Sequence, residues 1–181
     1  KKDFMKENPD ITFGDIHSEA MKVDDNKIFI DVNASDFQEP GNMLEKYYNY
    51  LKKTNQYQKL TIGQIARSIY ESMAFKYLEE FKKLGKIANK KLLGICVMGG
   101  GINATLLNQL IANVLNVNVY LGLSEATIFG NALAQFIYLK EFKNLNQARE
   151  ELNKFTPNIV YKPQNVELYR CKYIHYKKIL E

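Results

Sequence analysis

Cysteine is scarce in this chain of 181 residues: Cys96 and Cys171 are its only thiols, and they stand far apart. Two distant thiols make no disulfide framework, so a core has to hold the fold, and a reducing cytoplasm is the expected setting. Arginine is nearly as scarce, with Arg67, Arg149 and Arg170 alone, so lysine carries the net charge of +5. Readers of base edges and phosphates lean on the planar guanidinium fork. The densest lysine group (Lys82, Lys83, Lys86, Lys90, Lys91) falls at the end of a helical pattern, where cations complement the helix dipole. Nucleic acid is therefore not an expected partner. Long apolar runs are missing too. The stretch from Leu92 to Ile102 is far short of the ~18 residues that cross a bilayer, so no membrane partner is expected. The opening Lys-Lys-Asp-Phe-Met-Lys-Glu-Asn holds no apolar segment of a signal peptide, and its first residue is not methionine, which is read as the mark of a fragment. His17 and His175 have no cysteine or carboxylate pattern around them, so no protein-held metal is expected.

What is present is a globular composition, 46% hydrophobic and 25% charged, long enough for one sizeable core. One domain over residues 1–181 is expected, with 158–181 as a peripheral helical tail. Residues 1–39 read as polar and irregular, with a possible short strand at Ile28-Phe-Ile-Asp31. Pro40-Gly41 marks a turn, after which Met43, Tyr47, Tyr50 and Leu51 form one helical face. Thr61-Ile-Gly-Gln64 has the form of a capping box. From it Ile62, Ile65, Ala66, Ile69, Met73, Tyr77, Phe81 and Leu84 repeat at helical spacing to a stop at Gly85. Arg67 and Glu71 on that helix are expected as a surface i,i+4 pair.

A strand over Leu92–Met98 follows, apolar enough to be buried on both faces. It ends in Gly99-Gly100-Gly101, and a helix carrying Leu106, Leu107, Leu110, Ile111 and Val114 starts directly afterwards. A second strand, Val117–Leu121, leads to a helix capped at Ser124, whose Ala126, Phe129, Ala132, Leu133, Phe136 and Ile137 face a core. Within it Gly130 reads as a site of close helix packing, and Thr127 and Asn131 as facing either a ligand or buried carbonyls. Residues 141–181 read as one or two short helices broken around Phe155-Thr-Pro157 and Lys162-Pro163. The class is α/β with parallel neighbouring strands.

The glycine turn carries the chemistry. Glycine has no Cβ to hold a ligand off, and a following helix offers unpaired N–H groups and the positive end of its dipole. A nucleotide suits such a junction. Gly99-x-Gly101-x-x-Ala104 satisfies the dinucleotide fingerprint in form, which would make the guest NAD. That fingerprint also wants an acidic residue at the end of the next strand, and Val117–Leu121 runs into Gly122-Leu-Ser instead.

Gly99-Gly-Gly-Ile-Asn-Ala-Thr-Leu-Leu-Asn-Gln-Leu110, followed by Gly122-Leu-Ser-Glu-Ala-Thr-Ile-Phe-Gly-Asn-Ala132, resembles the carboxy-terminal domain of the FGGY carbohydrate kinases. Phe29-Ile-Asp31, Phe37-Gln-Glu-Pro-Gly-Asn-Met43 and Thr61 to Ala74 extend the resemblance over roughly residues 28 to 157, and within the family it is strongest toward the kinases of the ketose L-rhamnulose. The resemblance implies an actin-like, ribonuclease-H-like ATPase domain, the second of two that close on ATP with its Mg2+. It implies that Gly99, Gly100, Gly101, Asn103 and Ala104 line the adenosine site, with Gly100 central. The first kinase domain, its phosphate loop and the aspartate base are absent, so this chain alone is expected to be inactive; a non-catalytic nucleotide- or partner-binding relative is the alternative. Two departures fall at the site. The family's asparagine stands as Ala104 here, with Asn103 one residue early, and its Pro-Val stands as Leu123-Ser124.

Overall fold

The computed structural model describes residues 1–6, 8–155 and 158–180. The first stretch is more ordered than its polar composition suggests. Helix α1 spans Phe13–Met21, and its capping box uses an aspartate: Thr12 Oγ1 accepts from the Asp15 amide while Asp15 accepts from the Thr12 amide. Ile28–Asp31, a possible short strand by sequence, joins no strand. Side chains satisfy its backbone instead: Phe29 N–H donates to Gln56 Oε1 (2.9 Å), Ile30 N–H to Ser72 Oγ (3.0 Å) and Asp31 N–H to Tyr50 Oη (3.0 Å).

Helix α2, Met43–Lys53, starts at the Asn42 cap after a bend at Gly41 and buries Tyr47, Tyr50 and Leu51. Helix α3 covers Ile62–Ala88, 27 residues, with the expected Thr61–Gln64 capping box formed. It runs past Gly85 and stops at Asn89, which takes the left-handed conformation (φ 49°). The surface placement of Arg67 and Glu71 is overturned. Both are buried, because α3 is covered on that face by a helix from the other end of the chain.

Strand β1 (Gly94–Val97) pairs in parallel with β2 (Asn118–Leu121), and helix α4 (Thr105–Leu115) crosses between them. Helices α5 (Ala126–Tyr138) and α6 (Leu145–Asn153) follow. A third strand, β3 (Val160–Tyr161), falls where the pattern suggests only short helices and adds antiparallel to β2. Helix α7, Val166–Leu180, closes the described chain. The break at Lys162-Pro163 lies between β3 and α7, whereas Thr156 and Pro157 lie outside the described residues.

The main core gathers Phe29, Phe75, Leu110, Ile111, Val119, Tyr169 and Tyr176. Residues 158–181 were expected to be peripheral, yet Tyr169 and Tyr176 of α7 sit inside this core. Apolar side chains there gain about 1.5–3 kcal/mol each on burial. Two expectations of burial are corrected in the opposite direction. Leu93 and Met98, flanking β1, are 78% and 57% exposed, so the sheet is not covered on both faces. Helix α5 buries no residue: Ile128, Phe129 and Phe136 point to solvent.

Candidate functional site

The carboxyl ends of β1 and β2 are stitched together where the glycine turn begins. Gly122 N–H donates to Val97 O (2.8 Å), and Gly99 N–H donates to Leu123 O (2.9 Å). A Cβ at Gly122 would lie 2.8 Å from Met98 Cγ and 3.2 Å from Cys96 Sγ, so those side chains would have to shift to admit one. The chain then makes a single 3-10 turn over Gly99–Asn103 before entering α4. Asn108, itself buried, anchors that turn from within by donating Nδ2 to Gly101 O (3.1 Å) and Ile102 O (3.3 Å).

The three glycines have different reasons. Gly99 takes φ +71°, which L side chains avoid. At Gly101 a Cβ would crowd Val97 Cγ1 at 3.1 Å. Gly100 has neither demand: its φ is not left-handed, and a Cβ would meet nothing within 4 Å. Folding alone therefore does not call for glycine at Gly100. Asn103 is exposed beside it, and Ala104 caps α4 with no side-chain hydrogen bond. An uncapped first turn leaves donors open to a ligand oxygen, and an exposed glycine lets a flat ring lie on the backbone.

The expected second segment behaves differently. Helix α5 is capped by Glu125 rather than Ser124, again with no side-chain hydrogen bond. Gly130 packs against nothing, with open space within 4 Å of its Cβ position, so close helix packing does not account for it. Thr127 and Asn131 are exposed, and among the described residues neither satisfies a buried carbonyl. His17, for which the sequence suggested no role, comes to the site: its Nε2 is 2.9 Å from Thr105 Oγ1 in the first turn of α4. No sequence signal could have paired these residues, which are 88 positions apart. His175 instead packs edge-on to Phe29 (5.8 Å).

A cavity of about 760 Å3 lies between α3, α4 and α7, lined by Leu78, Phe81, Val114 and Tyr173. It reaches Leu92 and Val117, at the entry ends of the strands, and so stands apart from the glycine turn at their exits. Among the described residues no group of three or more histidine, cysteine, aspartate or glutamate side chains is placed to hold a metal ion. Among the same residues no helix is long and apolar enough to cross a membrane.

Residues 12–139 match the family model of the FGGY family of carbohydrate kinases, C-terminal domain. The match begins ahead of the resemblance read from residue 28, so it takes in α1 and His17. The chain is 35% identical over 156 residues to rhamnulokinase of Ligilactobacillus salivarius, covering 83% of this chain and 32% of that protein. It is 34% identical over 158 residues to rhamnulokinase of Bacillus subtilis, covering 87% and 33%. It thus spans about a third of the length of the curated relatives it matches. A ligand-bound xylulose kinase from Lactobacillus acidophilus superposes with a TM-score of 0.64 at 18% identity, over 97% of this chain and 36% of that one. That likeness shows the fold, the actin-like ATPase fold of the sugar kinases. By the family match and these relatives together, the chain belongs to the FGGY carbohydrate kinases and is their C-terminal domain.

Proposed function

We propose that this chain is the adenosine-binding part of an ATP-dependent carbohydrate kinase whose substrate is a ketose, L-rhamnulose. The carrying observation is Gly100: a glycine that neither backbone strain nor packing requires, exposed at the mouth of an uncapped helix. Close approach of a ligand to the backbone supplies the missing reason. Gly99 shapes the turn, Gly100 and Gly101 offer bare backbone to the adenosine, and Asn103 and Ala104 form its rim. The residues fit ATP in that sense, while no carboxylate cluster among those described would hold Mg2+, which would arrive on the phosphates. When bound, ATP supplies the γ-phosphoryl group. The residues of this chain orient its base and ribose. Transfer also needs a base and a metal positioned together with the sugar hydroxyl, so the chain by itself is expected to bind without turnover. The choice of L-rhamnulose rests on the relatives being rhamnulokinases.

Melting curves test the reading. A ligand that binds the folded state at a hundred times its Kd stabilises by about 2.7 kcal/mol. ATP with Mg2+ is expected to raise the Tm, and NAD is not. A rise with NAD and none with ATP would assign the turn to a dinucleotide instead.

A further inference from the structure

We infer that His17 is a positioning residue of the nucleotide site, acting through the Thr105 hydroxyl; this rests on the glycine turn being the ATP site. Thr105 is the first residue of α4, one place too late to cap the helix, and the cap residue Ala104 forms no side-chain bond. Among the described residues its exposed hydroxyl is engaged by one partner, His17 Nε2, at 2.9 Å. Helix α1 carries that imidazole and is fixed on two sides. Ile16 and Ala20 are buried against Ala66 of α3, with Leu106 of α4 packed on the same cluster. The ring itself stands edge-on to Tyr70, centroids 6.2 Å apart and planes at 82°.

Either tautomer of the ring fits this contact, and the positioning role requires the one protonated on Nε2. A hydroxyl has one proton and two lone pairs. With Nε2–H donating to Oγ1, the Thr105 proton remains free for a second acceptor at the first turn of α4. It is then a donor to an oxygen of the bound nucleotide, held before the ligand arrives. Freezing a donor in advance reduces the ordering cost of binding. A lone histidine contact to a helix would equally serve to dock α1, so the test has to separate docking from positioning.

Four variants do so: H17A, H17Q, T105V and the double variant H17A/T105V, each titrated with ATP and Mg2+ below its own Tm. H17A and T105V are each expected to weaken binding about two- to tenfold, the range of one hydrogen bond. H17Q, whose amide can still donate, should bind more tightly than H17A. The double variant should be no weaker than T105V, because histidine without the hydroxyl has nothing to position. Wild-type affinity in H17A, or losses that multiply in the double variant, would overturn the role. Failure of the wild-type chain to bind ATP would instead remove the nucleotide reading itself, and this inference with it.

Discussion

Lys172 on α7 holds both carboxylate oxygens of Glu71 on α3, at 3.1 and 3.2 Å, across 101 residues of sequence. Arg67 Nε donates to the same carboxylate at 2.8 Å and Asn26 Nδ2 at 3.1 Å, so α3, α7 and the segment before Ile28 meet on one buried anion. Arg67 also reaches Tyr169 Oη at 3.3 Å. Removing the anion leaves two buried cations without compensation. Glu71→Ala is expected to cost about 3–5 kcal/mol in urea unfolding, as removal of one partner of a buried pair does. A loss under about 1 kcal/mol would show that α7 does not depend on this contact.

Gly63, in the first turn of α3, touches α1. A Cβ there would lie 2.5 Å from Glu19 O and 2.8 Å from its carbonyl carbon, backbone atoms that cannot swing aside. Gly63→Ala is expected to lower stability by about 1–3 kcal/mol despite alanine's better helix propensity. Amide exchange in residues 13–21 should speed up in the variant, since α1 is the element displaced.

Acid should weaken the α3–α7 contact at Glu79. Burial pushes this carboxyl up, but the hydrogen bond and charge of Lys76, with Lys177 of α7 beside them, outweigh it and leave the group below its ordinary value. A carboxyl depressed in the folded state adds stability above its unfolded value of about 4.3, and loses it as pH falls through the folded one. Stability measured from pH 6 to pH 3 should therefore drop less steeply in Glu79→Gln than in wild type. Parallel curves would place the acid-sensitive group elsewhere.

Gly130→Ala tests the exposed state of α5. Its Cβ would meet nothing, and alanine gains about 1 kcal/mol over glycine inside a helix. Amide exchange within residues 126–138 should slow, with ATP affinity unchanged. Faster exchange would mean that a neighbour occupies that space.

Periodicity made α2, α3, α4 and the parallel strand pair legible, because each is encoded by local spacing and a nearby cap. Helix α1 escaped because its capping box closes on Asp15 where glutamate or glutamine is usual. For Arg67 and Glu71, spacing of four fits an exposed pair and a buried one alike; what buries them is α7, far away in sequence. Apolar spacing in α5 and β1 shows that a face favours cover, and says nothing of whether the chain supplies it. At the site, the three glycines were plain to read. The contact of His17 with Thr105 depends on tertiary packing and left no local trace.

The central claim is that ATP lies against Gly100. Titration of ATP with Mg2+ into the wild-type chain and into Gly100→Val measures it directly. Because the new side chain enters open space, the variant should keep the wild-type Tm and circular dichroism within about 0.5 kcal/mol of stability. The account predicts saturable binding by the wild type and none by the variant at the same concentrations. Equal binding by the two would contradict it and move the nucleotide away from the glycine turn.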